Sequence, residues 1–167
     1  IDIYARMAYI DTMTGLGNRT AFLEENKSNA IFPGMISYIM MDANNLKTMN
    51  DTLGHNKGDE LIITIAKCMR KAVGHNGQCY RIGGDEFVII LKNKTAAETE
   101  EIINKVRCEI EFADKQSDIT ISVAIGYVWT DTEQKNLEDL MQHADDEMYQ
   151  DKKKTKENKS KENTHSI

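Results

Sequence analysis

Many apolar residues in this chain recur at intervals of three and four, the spacing that places them on one face of an α-helix. Ile3, Met7 and Ile10 show this spacing, which predicts the end of an amphipathic helix. A second helix is expected after the turn glycines and the N-cap candidate of "DTMTGLGNRTAF" (11–22). Three longer helices follow. Their apolar residues are Leu61, Ile65, Met69 and Val73 over about 58–73, Ile102, Ile103, Val106 and Ile110 after a Thr95–Glu98 capping box, and Leu137, Leu140, Met141, Ala144 and Met148 in the last helix.

Other apolar runs are typical of strands. The run "MISYIMMD" (35–42) is apolar without alternation, which predicts a strand that is buried on both faces. The stretches "QCYRI" (78–82) and "FVIILK" (87–92) flank a glycine pair, which predicts a hairpin. Ile119, Ile121, Val123 and Ile125 alternate with smaller residues, so a further strand is expected there.

The resulting order is αα-β-α-ββ-α-β-α. A hairpin combined with helical crossovers predicts a mixed sheet with helices packed on it, the α+β class. A chain of 167 residues fits one domain. We expect residues 1–10 to be the end of a linker or signalling helix, residues 11–156 to be the folded domain, and residues 157–167, which include one aliphatic residue, to be a disordered tail.

Composition narrows the classes of partner. The net charge of −6 argues against a nucleic-acid partner and implies that a polyanionic ligand needs lysines or a metal ion close by. No stretch approaches the roughly 18 apolar residues that span a bilayer, and no signal peptide is visible, so we expect a cytoplasmic fragment without membrane contact. A membrane anchor elsewhere in the full-length protein stays open. The three cysteines form no CxxC pair and the histidines lack zinc-ligand spacing. The first residue is Ile1 rather than Met, which predicts a piece of a longer protein.

The stretch "YRIGGDEFVII" (80–90) interrupts an apolar run with two glycines and two acids. Gly83 and Gly84 are expected to turn a hairpin with positive φ. Asp85 and Glu86 then begin a strand, where charge is costly unless a cation compensates it or solvent reaches the hairpin tip. Asp42 ends the buried strand 35–42, so adjacent strands would bring Asp42 and Asp85 to one site. Converging carboxylates of this kind suit Mg²⁺.

The segment 44–60 is rich in polar residues and glycine before the helix predicted at 58–73. Lys47 is able to neutralise a phosphate, or it is a solvated helix lysine. Asn50 and Asp59 offer an amide and a carboxylate that match the edge of a purine, and a carboxylate suits guanine in particular; Asp59 is equally well explained as a first-turn acid. No GxxxxGK[ST] motif is present, so the P-loop class is excluded.

Together these stretches resemble the GGDEF-domain diguanylate cyclases. The stretch "RIGGDEF" (81–87) matches the signature that names the family, and "DTMTGLGNR" (11–19) resembles D-x-L-T-x-L-x-N-R. The stretch "DANNLKTMNDTLGHNKGDE" (42–60) resembles D-x-D/N-x-F/L-K-x-x-N-D-x-x-G-H-x-x-G-D-E. The stretch "ADDEMYQDKKKTK" (144–156) resembles the terminal A-D-x-A-M/L-Y-x-A-K-x-x-G-R.

The resemblance implies an enzyme that condenses two GTP molecules into cyclic di-GMP with release of two pyrophosphates. The 3′-hydroxyl of one GTP attacks the α-phosphate of the other, and each GTP is held by one subunit of a homodimer. An upstream sensory domain is implied in the full-length protein. The implied fold is a central, mostly antiparallel five-stranded sheet wrapped by helices, similar to the palm of nucleotidyl cyclases.

The resemblance also implies roles for individual residues. Asp42, Asp85 and the carbonyl of Ala43 would bind two Mg²⁺ or Mn²⁺ ions per site, supported by Glu86. Asp85 is in addition the proposed proton acceptor, and Lys47 would stabilise the phosphate in the transition state. The guanine and ribose end would be held by Asn50, His55 and Asp59, and the terminal phosphates by Lys152 and Lys156.

Departures from the family pattern sharpen these expectations. Glu147 stands where the family has Ala, and Lys156 stands where Arg is more frequent. The RxxD motif of the family's product-inhibition site is replaced by Gly74 and Gly77, so no high-affinity feedback site of that kind is expected. Retention of Asp59 favours GTP over ATP. The alternative hypothesis is a catalytically weak module that binds GTP or cyclic di-GMP.

Overall fold

The computed structural model describes residues 2–132 and 136–165. The helices are α1 (Ile3–Tyr9), α2 (Arg19–Asn29), α3 (Leu46–Leu53), α4 (His55–Val73), α5 (Ala96–Gln116) and α6 (Leu137–Thr164), with a 3₁₀ turn at Gly74–Asn76. The strands are β1 (Ile36–Ala43), β2 (Gly77–Arg81), β3 (Glu86–Lys92) and β4 (Val123–Thr130). No helix in the described part of the chain is both long and apolar enough to cross a bilayer.

The strands form one antiparallel sheet in the order β2-β3-β1-β4. Two crossovers, one through α3 and α4 and one through α5, surround the β2–β3 hairpin and give a split β-α-β topology. The α+β class and the hairpin are therefore confirmed. The mixed sheet predicted from the hairpin and crossovers is wrong, because all three strand pairs are antiparallel.

The sheet is covered on both faces. Alternate residues of β1, such as Ile39 and Met41, face a core formed with α4 and α5. The intervening residues, such as Tyr38 and Met40, face a smaller core with α2 and α6. All eight residues of β1 are buried, which confirms the prediction made from its unbroken apolar run.

The five-stranded sheet implied by the family resemblance is not found, because the described residues form four strands. Beyond β2 the described chain contributes two isolated bridges, one between Gly17 and Tyr80 and one between Ile10 and Gly17. Asn18 caps the start of α2 directly afterwards, since its side chain accepts a hydrogen bond from the Ala21 N–H. The segment turns into a helix before a strand is able to form.

Two further elements differ from the sequence-based expectations. The polar segment 44–60 contains α3, whose one buried residue is Met49. The last strand begins at Val123, whereas Ile119 and Ile121 are buried in the preceding irregular segment. The alternating burial of this segment has the same sequence pattern as a strand, but the segment pairs with no neighbouring strand. Instead, the Ile119 N–H donates to the Ser117 side chain and the Ile121 N–H donates to the Asp114 side chain.

The tail predicted to be disordered from residue 157 is helical up to Thr164 in the structure, as a continuation of α6. All residues from 157 to 164 are exposed. Lysine and glutamate have high helix propensity, which explains a helix that needs no core. Residues 166 and 167 lie outside the described residues.

Gly126 sets the distance between β4 and α6. A Cβ atom at this position would overlap the carbonyl oxygen of Ala144 and the backbone nitrogen of Met148. Because both clashing groups are helix backbone, no side-chain rotation relieves them. Glycine therefore allows α6 to lie directly on β4.

We predict that Gly126→Ala lowers the free energy of unfolding by about 1–3 kcal/mol, the usual cost of overpacking. Gly84→Ala is the matched control, because a Cβ there would meet no atom within 4 Å. Urea unfolding followed by circular dichroism measures both variants. Equal stability of Gly126→Ala and the wild type would show that α6 does not pack on β4 as described.

Candidate functional site

The acids of the predicted site meet at one end of the sheet. Asp42, near the end of β1, pairs in register with Glu86 at the start of β3. The Ala43 N–H donates to the Asp85 carbonyl at 2.8 Å, which holds the hairpin beside β1. One carboxylate oxygen each from Asp42, Asp85 and Glu86 lies within 4.8 Å of the other two. The structure thus brings together the three acids selected from the sequence.

Mutual repulsion and burial act on this cluster. Desolvation raises the pKa of Glu86, and the charges of Asp42, Asp85 and Asp145 raise it further. Desolvation likewise raises the pKa of Asp145, with contributions from Asp42 and Asp146. The arrangement is therefore short of positive charge, as expected for a cation site.

The two oxygens of Asp42 have different surroundings. Its Oδ2 accepts a hydrogen bond from Lys152 Nζ at 2.8 Å, whereas its Oδ1 is buried and has no hydrogen-bond partner among the described residues. An unpartnered buried carboxylate oxygen is costly. Together with the oxygen-only donor set, this orphaned atom fits a hard divalent cation such as Mg²⁺.

The signature glycines act differently from the expectation. Neither Gly83 nor Gly84 has a positive φ, so the left-handed turn inferred from the sequence is wrong. A Cβ on Gly83 would lie 3.0 Å from Glu86 Oε2, and one on Gly84 would meet nothing within 4 Å. The first glycine makes room for the Glu86 side chain, and the second leaves the backbone open to a ligand.

Arg81 ties this hairpin to the start of the domain. Its guanidinium donates to the Gly84 carbonyl at 2.9 Å and forms an ion pair with Asp11 at 3.3 Å. Burial alone would raise the pKa of Asp11, but hydrogen bonds from Thr14 and the charge of Arg81 lower it overall. The turn that follows α1 is thereby connected to the signature hairpin.

A lysine-rich cavity of about 270 Å³ opens next to the acids. Ala43 and Asp85 line it on the acidic side. Its cationic residues are Lys47 on α3 and Lys152, Lys156 and Lys159 on α6. A site with three acids at one end and four lysines beside them suits a metal-bound polyphosphate.

The residues predicted for the guanine end lie elsewhere. Asn50, His55 and Asp59 are on α3 and the first turns of α4, and none of them lines the lysine cavity. The Asn50 Oδ1 is buried without a hydrogen-bond partner among the described residues. It packs so closely on Gly58 that any side chain there would overlap it. This second cluster offers polar groups but is separate from the cavity.

The positions that correspond to the inhibitory motif carry no functional group. Gly74 has a φ of 53°, and a Cβ on Gly77 would lie 2.5 Å from the Ile90 carbonyl oxygen. A side chain at residue 77 would therefore push against β3.

Two residues near the site were not selected from the sequence. Asp145 follows the buried Ala144 on the α6 face that lies on the sheet, and this position within "ADDEM" was the available signal. Lys159 lies in the stretch predicted to be disordered. Lys159 follows Lys152 by seven residues, a spacing that places both on one face of a helix. This spacing is informative only when the helix is known to continue to residue 159.

Comparisons with known proteins identify the family of this chain. The family model described as diguanylate cyclase, GGDEF domain, matches residues 8–158. The signaling protein YkoW of Bacillus subtilis is 34% identical over 160 residues, which cover 90% of this chain and 20% of that protein. The diguanylate cyclase DgcN of Escherichia coli is 32% identical over 154 residues, covering 88% of this chain and 38% of that protein. This chain thus spans less than half the length of these curated relatives.

Solved structures share the fold. The coiled coil and GGDEF domain of DgcB from Caulobacter crescentus, in complex with c-di-GMP, matches with a TM-score of 0.78 at 24% identity, covering 90% of this chain and 83% of that chain. The GGDEF domain of FimX from Pseudomonas aeruginosa matches with a TM-score of 0.77 at 19% identity, covering 87% of this chain and 94% of that chain. At these identities the likeness bears on the fold alone.

We predict that Lys152→Met raises the affinity for Mn²⁺ in the absence of nucleotide by about fivefold, on the order of 1 kcal/mol. The reason is that Lys152 occupies the Asp42 Oδ2 and competes with a metal ion for that oxygen. Lys156→Met removes the same charge from the cavity without removing a contact to Asp42, so it should give a smaller rise. Titration of Mn²⁺ followed by electron paramagnetic resonance measures both. Unchanged or weaker binding by Lys152→Met would contradict the competition.

Proposed function

The chain belongs to the GGDEF-domain diguanylate cyclase family, and we propose that it condenses two GTP molecules into cyclic di-GMP and two pyrophosphates. The observation that carries the proposal is the Asp42 carboxylate, with a buried unpartnered oxygen beside Asp85 and Glu86 and a lysine-lined cavity next to it. Such a pairing of acids and lysines suits phosphoryl transfer that needs a metal ion.

Two divalent cations, Mg²⁺ or Mn²⁺, would be held by Asp42, Asp85 and the carbonyl of Ala43, with Glu86 supporting them. When bound, these cations supply charge neutralisation at the phosphates and lower the pKa of the attacking hydroxyl. Asp85 lies at the mouth of the hairpin and serves as a ligand and as the acceptor of the hydroxyl proton. Of these two roles, the ligand role follows more directly from its place in the acid cluster.

The lysines hold and stabilise the phosphates. Lys47 in the first turn of α3 contributes positive charge where negative charge builds up in the transition state. Lys152 and Lys156 hold the terminal phosphates, and Lys159 extends the same face of α6 by one further turn. Lys152 exchanges its contact with Asp42 for the phosphates when nucleotide and metal enter.

The base end of GTP is assigned to the second polar cluster. Asn50, His55 and Asp59 hold the guanine and ribose. The Asp59 carboxylate accepts hydrogen bonds from two adjacent N–H groups, which guanine presents and adenine lacks. GTP is the preferred substrate on this basis.

Condensation needs two such sites facing one another. The 3′-hydroxyl of the GTP in one subunit attacks the α-phosphate of the GTP in the other, so catalysis requires a homodimer. The exposed helix α1, in which Ile3, Tyr4 and Met7 are more than 60% exposed, offers an apolar surface through which two copies of the domain would associate.

The decisive experiment uses the domain fused through α1 to a dimeric coiled coil and incubated with GTP and Mg²⁺. We expect cyclic di-GMP by chromatography, and a loss of about a hundredfold or more in Asp85→Ala, because a metal ligand is removed. Glu24→Ala, which removes a surface acid paired with Lys27, is the control that keeps activity. If the dimeric fusion binds GTP without forming cyclic di-GMP, the domain is a binding module and the proposed reaction is wrong.

We further predict that Lys159→Ala raises the KM for GTP about twofold to threefold and leaves kcat within about twofold, as expected for a partly solvated contact to phosphate. Lys161→Ala is the matched control, since Lys161 lies on the same helix and does not line the cavity. Steady-state pyrophosphate release measures both variants. An equal effect of the two substitutions on the KM would show that Lys159 acts only through its positive charge and does not contact the phosphate.

A further inference from the structure

Strand β4 forms one edge of the described sheet, and its outer backbone groups bond to a helix. The Ile125 N–H donates to Asp151 Oδ2 at 2.8 Å, and the Tyr127 N–H donates to Glu147 Oε2 at 3.4 Å. Both acids are on α6, one turn apart, and face the strand. The Asp151 contact is the shorter and therefore the stronger of the two.

Asp151 also contacts a third element. Arg107 on α5 places its Nη1 at 3.5 Å from the same Asp151 oxygen, and about a quarter of the Asp151 side chain is exposed. The carboxylate, which belongs to α6, thus accepts a hydrogen bond from the sheet and forms an ion pair with α5. Glu147 and Asp151 both stand where the family motif quoted above has alanine, which is unable to accept either N–H group.

The backbone of α6 has little freedom to slide past these contacts. Gly126, between Ile125 and Tyr127, already touches the backbone at Ala144 and Met148. These contacts fix the height of the helix above the strand, and the bond from Ile125 to Asp151 fixes its rotation and its position along the strand.

The next residue on the helix, Lys152, reaches Asp42 at 2.8 Å. Lys156 and Lys159 follow on the same side and line the cavity. Because a helix moves as a rigid rod over two or three turns, a rotation at Asp151 displaces all three lysines relative to Asp42 and Asp85. Placement of the lysines therefore depends on Asp151.

We propose that Asp151 is a positioning residue, which locks α6 onto β4 through the Ile125 N–H and so presents the lysine face to a triphosphate. The proposal rests on the proposed function for the identity of the ligand, a guanosine triphosphate. The proposal predicts the direction in which the affinity for an anionic ligand changes when Asp151 is replaced. Loss of an acid near four lysines would, through charge alone, strengthen the binding of an anion, whereas loss of a positioning contact weakens it.

The test compares Asp151→Ala, Asp151→Asn and Asp151→Glu by calorimetric binding of guanosine 5′-[α,β-methylene]triphosphate and of inorganic tripolyphosphate in Mg²⁺. Asparagine keeps an oxygen that accepts the Ile125 N–H, so its dissociation constants should stay within about twofold of wild type. We expect Asp151→Ala to bind both ligands about tenfold more weakly, as for loss of a hydrogen bond to a charged group. Glutamate keeps the charge but is one methylene too long, so it should also weaken binding.

Asp146→Ala is the matched control, because Asp146 lies on α6, faces solvent and bonds to Gln142. Hydrogen exchange at the Ile125 amide provides a second measurement, and it should accelerate about tenfold in Asp151→Ala and remain slow in Asp151→Asn. If Asp151→Ala does not fold, Asp151→Glu carries the same comparison.

Unchanged or tighter ligand binding by Asp151→Ala with accelerated exchange at Ile125 would overturn the positioning role. Equal weakening by Asp151→Ala and Asp146→Ala would overturn it as well. A wild-type domain that binds tripolyphosphate but not the GTP analogue would contradict the proposed function alone, and the effect of Asp151 would still be measured on tripolyphosphate. Binding of neither ligand by the wild type would overturn both.

Discussion

The site depends on one charged group at the end of a fully buried strand. Charge in such a position costs free energy unless a cation compensates it. Lys152 supplies this compensation to one oxygen of Asp42, while the other oxygen has no hydrogen-bond partner within the described part of the chain. Strand β1 lies inside the sheet, so its two neighbours determine what reaches Asp42. The hairpin end of β3 supplies further acids, and α6, which crosses β4 at Gly126, supplies the lysines.

The parts of the fold that were predictable are those in which one residue pattern has one explanation. An unbroken apolar run such as 35–42 fits only a strand with both faces covered, and the Thr95–Glu98 capping box marks the start of α5 directly. Helix α3 was not predicted because only Met49 is buried and its polar residues resemble a loop. The predicted start of β4 is wrong because Ile119 and Ile121 are buried outside the sheet. An alternating apolar pattern indicates which residues are buried, but it does not indicate whether they pair with a neighbouring strand.

The residues of the site likewise comprise some that the sequence indicates and others that only the structure reveals. Acids that interrupt apolar strands were visible in the sequence, since charge at such positions needs an explanation. The contact between Lys152 and Asp42 joins residues that are 110 positions apart, and no local pattern indicates it. Asp145 and Lys159 become visible only when the path of α6 is known. The assignment of Asn50, His55 and Asp59 came from the family resemblance, and their separation from the lysine cavity is a feature of the tertiary packing of α3 on α4.

The acids of α6 that bond to β4 have a consequence for how copies of this domain meet. A free strand edge is a template onto which another chain adds by main-chain pairing. Asp151 and Glu147 occupy the outward N–H groups of Ile125 and Tyr127, and the backbone of α6 covers Gly126 between them. The part of the β4 edge around Gly126 is therefore closed to β-augmentation, which protects the domain from aggregation through these residues. A second copy of this chain is therefore unable to extend the sheet by pairing with β4 at these two residues.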